Sequence, residues 1–210
     1  MVEVPELGER VICLRMRFAA YEALVTELGD NAGARMTFDG KALELMSPSA
    51  DHERYNRLLE GLVQLLSLEW EIAIESTGSA TLKRAPFGAE PDSSFYVQNA
   101  AAIAGKKQLD LAADPPPDIA VEIDLSRERI DKQANYADFR VSEFWRYDGR
   151  QLRAYARRDG RYVEVAESEQ LGALPIAELA RFLELRTTKG QSDIARLWQA
   201  WLRDHRPPQR

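Results

Sequence analysis

The chain has 210 residues, 45% of them hydrophobic and 30% charged, with a formal net charge of −6; this suits one folded unit with a proper core and argues against two. One cysteine, Cys13, and two histidines, His52 and His205, exclude an internal disulfide and a thiolate-rich zinc site, so a metal here would be held mainly by oxygen: magnesium, manganese or calcium. The acidic balance excludes a general nucleic-acid coat, because neutralising phosphate needs a basic surface.

Residues 18–29, FAAYEALVTELG, carry apolar side chains at helical spacing and end on Gly29, a C-cap signal. In ARMTFDGKALELMSP, Asp39-Gly40 lies between two short alternating runs, which predicts a β-hairpin closed by Pro48. Ser49 or Asp51 can cap the next helix, about 51–70, whose buried stripe is Leu58, Leu59, Leu62, Leu65 and Leu66. EIAIES, ATLKRA and EPDSSFYVQ read as strands. After the prolines at 115–117 comes PDIAVEIDLS, a further strand, then a helix of about 128–140 and the strand EFWRYD. QLRAYARRD and RYVEVAES flank Asp159-Gly160, a second hairpin. Two helices finish the chain, about 176–184 and 192–204, the latter with Ile194, Leu197, Trp198, Trp201 and Leu202 on one face. The order predicts an α/β fold, a mixed sheet flanked by helices with an N-terminal helix and hairpin. With no run of about 18 apolar residues and no basic-then-apolar leader pattern, a soluble, cytoplasmic protein is expected.

The strand after the prolines poses a question. Ile119, Val121, Ile123 and Leu125 share one face, while Asp118, Glu122 and Asp124 share the other with Ala120. That polar face could be open to water, a buried ion network, or a metal site where carboxylates of neighbouring strands converge. Helices on either side in the chain weigh against open water. EPDSSFYV adds Asp92 at the mouth of another strand, and RIDKQANYADF adds Lys132, with Tyr136 one turn further on the same helix face. Two carboxylates can hold a divalent cation, and a lysine can steady an attacking water or developing negative charge.

MTFDGKALELMSPSADHERYNRLL, EPDSSFYV and PDIAVEIDLSRERIDKQANYADFRVSEFWRYD resemble successive blocks of the Uma-two family of restriction-endonuclease-like proteins, within the PD-(D/E)XK nuclease superfamily. The resemblance runs from about 18 to 165 and implies one restriction-endonuclease-like domain, with a mixed four- or five-stranded sheet and C-terminal helices at about 176–204. It also implies a DNA-cleaving site that uses Mg2+ or Mn2+. Asp92 matches the first acid and Glu122 the second, both as metal ligands. The superfamily lysine, two residues after the second acid, is Asp124 here, and Lys132 matches a lysine relocated to the following helix. Where relatives show a Leu-Ser-Pro-Ser-like run, this chain reads DLSRER.

His52 matches a histidine near the start of the first helix of the pattern. It could bind the scissile phosphate, tune an acid, or merely pack the helix end. Asp118 reads as a residue of the strand start, and Asp124 as a partner of Lys132 or a third ligand. Trp145, Trp198 and Trp201 read as core or interface anchors, the last two against the sheet or a second copy in a homodimer. Basic patches could form from Arg146, Arg150, Arg153, Arg157, Arg158 and Arg161, or from the tail between Arg196 and Arg210. Two functions compete: a metal-dependent endonuclease, and an inactive relative that binds nucleic acid or protein.

Overall fold

The structure is a computed structural model that describes residues 10–29, 34–125 and 130–208. Strand β1 (Arg10–Arg15) leads to helix α1 (Phe18–Leu28), which stops at Gly29 with φ 55°. Strands β2 (Arg35–Phe38) and β3 (Ala42–Ser47) form the expected hairpin. Its turn is made by Asp39, whose carboxylate accepts from the N–H groups of Lys41 and Ala42 at 2.8 and 2.7 Å, with Gly40 at φ 88°. Helix α2 (Ala50–Trp70) is capped by Ser49, whose Oγ accepts from the His52 N–H at 3.1 Å. The strand expected at 71–76 shrinks to β4 (Glu75–Ser76), because α2 runs on to Trp70 and Glu71 turns left-handed.

Next come β5 (Leu82–Arg84), β6 (Phe87–Ala89), β7 (Ser93–Tyr96), the short helix α3 (Ala100–Ile103) and the acid strand β8 (Ile119–Ile123). Helix α4 (Lys132–Phe139) follows; its expected start at 128 lies outside the described residues. Then come β9 (Glu143–Tyr147) and the hairpin β10 (Leu152–Arg158)–β11 (Arg161–Val165), with Asp159 and Gly160 both at positive φ. Short strands β12 (Glu167–Ser168) and β13 (Leu174–Pro175) precede α5 (Ile176–Glu184), a 3-10 turn (Leu185–Thr187) and α6 (Gln191–Asp204).

The α/β class holds, but the strand count exceeds four or five. A six-stranded mixed sheet runs β11-β10-β9-β8-β7-β4, and a five-stranded antiparallel sheet runs β1-β3-β2-β6-β5. Among the described strands of the mixed sheet, β8 and β9 are the parallel pair, and α4 connects them.

β8 is covered on both faces, which removes the open-water reading of its acids. Ile119, Val121 and Ile123 pack with Leu59, Leu62 and Leu66 of α2, Leu179 and Phe182 of α5, and Trp198 and Leu202 of α6. On the other face, Ala120 packs with Tyr136 and Phe139 of α4, Phe144 of β9, and Leu82 and Ala89 of the second sheet. The Trp face of α6 is used within the chain. Trp198 donates to the Leu62 carbonyl at 2.8 Å, Trp70 donates to that of Leu202 at 3.0 Å, and the Trp201 ring stacks on Trp198 at 5.0 Å.

Candidate active site

Two strands and two helices bring the acids together. β7 and β8 pair with Ser93 opposite Val121 and Ser94 opposite Ala120. Asp92 lies just before β7, close enough to Glu122 on β8 for its charge to act on that carboxyl. Asp92 is anchored through its backbone: its N–H donates to Val121 O at 3.0 Å, and Asn56 Nδ2 of α2 donates to its carbonyl at 3.0 Å. Its carboxylate Oδ2 accepts from the Ile123 N–H at 2.7 Å and lies 3.0 Å from His52 Nε2. Oδ1, also buried, accepts no hydrogen bond and faces Arg35 Nε at 3.7 Å.

Glu122 is held from α4. Its Oε2 accepts from Lys132 Nζ at 2.7 Å, and its Oε1 accepts from the Tyr136 hydroxyl. Lys132 and Tyr136 lie four residues apart on one helix face, so one helical turn grips both oxygens. Lys132 also donates to Asp124 Oδ1 at 3.1 Å, and Asp124 Oδ2 lies 3.1 Å from Arg146 Nε on β9. The structure therefore gives Asp124 to Lys132 as a partner. The chain neighbour Asp131 is used otherwise: its carboxylate caps α4 by accepting from the Gln133 N–H at 3.1 Å. Asp118 stands apart from this group. It accepts from the Val97 and Asn99 N–H groups at 2.7 and 3.2 Å, as a strand-start residue should.

The group lies inside the fold: Asp92 and Glu122 are each 1% exposed and Lys132 4%. His52 and Asn56 close on them from α2, and Lys132 and Tyr136 from α4.

Burial pushes the Glu122 carboxyl up to about 8; Lys132 opposes this, while the charges of Asp92 and Asp124 add to it. Burial alone would lower Lys132, but Glu122, Asp124 and Asp92 outweigh it and hold the ammonium well above its ordinary value. Tyr136 is raised by burial and then by Glu122, so its phenol remains a donor. At neutral pH the site is a protonated lysine and phenol gripping an acid that is still partly protonated.

Among the described residues, no three His, Cys, Asp or Glu side chains converge as a ready metal cage. What the site offers is two neighbouring carboxylates as hard oxygen donors, and one of their oxygens, Asp92 Oδ1, is buried without a hydrogen bond. That set fits a cation that keeps several waters and takes one or two carboxylates, as magnesium does.

Sequence reasoning missed Asn56, Ser93, Glu60 and Arg35. Ser93 Oγ lies 2.7 Å from Asn56 Oδ1 and 2.8 Å from Glu60 Oε1, which ties α2 to β7. The spacing of His52, Asn56 and Glu60, four residues apart along one helix face, was a usable signal. Arg35 left none.

The sequence profile of the Uma2 family, described as "Putative restriction endonuclease", matches residues 18–188. Among solved structures, a crystal structure of a "putative nuclease belonging to DUF820" from Anabaena variabilis superposes with a TM-score of 0.51 at 13% identity, covering 80% of this chain and 99% of that one. At that identity the likeness shows the fold. A comparison with curated proteins gives no match. No described helix is long and apolar enough to cross a membrane. Restriction-endonuclease-like families generally use divalent metals. With a profile match spanning most of its length and the matching fold, the chain belongs to the Uma2 family of restriction-endonuclease-like proteins.

Proposed function

We propose that the chain is a divalent-metal-dependent endonuclease that hydrolyses DNA phosphodiester bonds, with Asp92 and Glu122 as metal ligands and Lys132 as the charge-stabilising group. One observation carries this reading: Lys132 Nζ lies 2.7 Å from Glu122 in a buried group to which Asp92 brings a second carboxylate, near enough for its charge to act on both. Magnesium or manganese, when bound there, would polarise the phosphodiester and lower the pKa of a bound water. Asp92 offers Oδ1, and Glu122 offers its carboxylate once its proton has left. Lys132 stays protonated at neutral pH and supplies a fixed positive charge for the attacking water or the charge growing on phosphate. It bonds Asp124 as well, and Asp124 occupies the place where the superfamily lysine usually stands. Tyr136 and His52 are positioning residues, aligning Glu122 and Asp92 respectively.

A second reading has its own support. The 1% exposure of both acids favours a nuclease fold that binds nucleic acid or protein without cutting it. Supercoiled plasmid incubated with Mg2+ or Mn2+ separates the two. The endonuclease reading expects wild-type nicking and a loss on the order of 10² or more in Lys132→Met, the usual effect of removing a charge-stabilising group. Because Lys132 is buried between two acids, the substitution costs about 3 kcal/mol, so folding is checked by circular dichroism first. No nicking by wild type with either metal would favour the binding reading. Equal nicking by folded Lys132→Met would remove the role of the lysine.

A further inference from the structure

Across the first turns of α2 from the acids lies a cavity of about 280 Å3 lined by Arg54, Leu58, Arg186, Lys189, Gln191 and Ile194. Its charged lining is wholly cationic, and its floor is the buried pair Leu58 and Ile194. Arg186 is fixed: it bonds Asp51 at 2.6 Å, and its guanidinium lies 4.9 Å over the Tyr55 ring. Arg54 and Lys189 have no carboxylate partner among the described residues. Arg57, Arg158, Arg181, Arg196, Arg203 and Arg206 each pair with an acid, while scattered others such as Arg10 and Arg161 have no carboxylate partner among the described residues. In a chain of net charge −6, two unneutralised cations beside a fixed third in one concavity repel each other until an anion arrives.

We propose that this cavity binds a backbone phosphate of the nucleic-acid substrate, beside the one being cut; the inference rests on the endonuclease reading. At about 100° per residue, Arg54 and Leu58 point to the opposite side of α2 from His52 and Asn56. Acids and cavity thus flank a helix roughly 10–12 Å thick, so a strand that gains the acids past its N-terminal end also passes the cavity. Arginine forks match phosphate oxygens, and the Leu58–Ile194 floor suits the apolar face of a sugar. Gly190, which precedes α6, has no side chain to occupy the helix start. The first-turn acid of α6, Asp193, is paired with Arg196 at 3.2 Å.

The test is binding of a fluorescein-labelled random-sequence duplex in EDTA, where no cleavage competes, over a salt series. Wild type is compared with Arg54→Glu/Lys189→Glu and Arg54→Ala/Lys189→Ala, and wild-type plasmid nicking is run in parallel. Both positions are exposed, so melting temperatures should stay close to wild type. The alanine pair is expected to flatten the slope of log affinity against log salt by about 0.9, the loss of one phosphate contact. The glutamate pair should weaken binding at least tenfold at about 0.1 M salt. Unchanged slope and affinity in both variants, with wild type that binds and nicks, would overturn the cavity and leave the nuclease reading standing. Wild type that neither binds nor nicks at any salt would overturn both.

Discussion

Replacing Glu122 by glutamine is expected to stabilise the metal-free protein at alkaline pH and to bring no such gain at acid pH. Burial raises the Glu122 carboxyl from 4.5 to about 8. Between those values the native state keeps a proton that the unfolded chain has released, so this group subtracts stability as pH rises through that window. Below the lower value both states hold the proton and the difference vanishes. At about 1.36 kcal/mol per unit of pH, the ceiling near pH 8 is roughly 5 kcal/mol. Glutamine is neutral at every pH and nearly the same shape. Its oxygen can accept from Lys132, and its amide can donate to the Tyr136 hydroxyl, with a rearranged bond costing about 1 kcal/mol. The expected gain is therefore roughly 3–4 kcal/mol at pH 8, read from urea unfolding in EDTA against pH 5 at matched ionic strength. The same proton competes with a metal, so wild-type affinity for Mg2+ is expected to climb steeply between about pH 6 and 8. A glutamine variant less stable than wild type by the same amount at both pH values would show that Glu122 is an ordinary ionised acid, and the buried-acid argument would be wrong.

Glu143 is buried and accepts from the Trp145 indole and Ser168 hydroxyl, both at 2.9 Å, and from the Glu169 and Gln170 amides at 2.6 and 3.0 Å. Glu143→Ala strands those donors and is expected to cost about 3 kcal/mol or more in urea unfolding, with Glu143→Gln recovering part. At Gly88 a Cβ would stand 2.0 Å from the Tyr21 hydroxyl oxygen; Gly88→Ala should cost about 2 kcal/mol and lower the melting temperature by several degrees. Trp198→Ala opens a cavity between α2 and α6 and breaks the bond to Leu62 O, for an expected loss of 3–5 kcal/mol; a cost under about 1 kcal/mol would show that α6 is not anchored there.

The elements legible in the sequence were those with one apolar face. Leu58, Leu59, Leu62 and Leu66 marked α2, and the alternation from Ile119 to Ile123 marked β8. β1 left no such mark, because nearly all its residues are exposed along the edge of its sheet and no face is buried to impose a period. β6 was hidden by Pro86 and Gly88, and Gly88 is there because Tyr21 approaches too closely for a side chain. Asp92, Glu122 and Lys132 stood out by residue type, spacing and resemblance, and the fold brings their charges within reach of one another. The burial of that group was not legible. Alternation tells which face of a strand carries acids, whereas what packs on that face is set by Tyr136 of α4 and by Leu82 and Ala89 of a sheet built from distant chain. Arg35 was invisible for the same reason, since its approach to Asp92 exists only once β2 and β7 belong to neighbouring sheets.

The central claim is that Asp92 and Glu122 share one divalent cation. Crystals soaked in Mn2+ above pH 8, where Glu122 has released its proton, test it most directly through the anomalous scattering of the metal. The expected result is a single peak between Asp92 Oδ1 and the Glu122 carboxylate, at about 2.0–2.6 Å from each, and absent in Glu122→Gln. A peak elsewhere, or none between these carboxylates at saturating Mn2+, would contradict it.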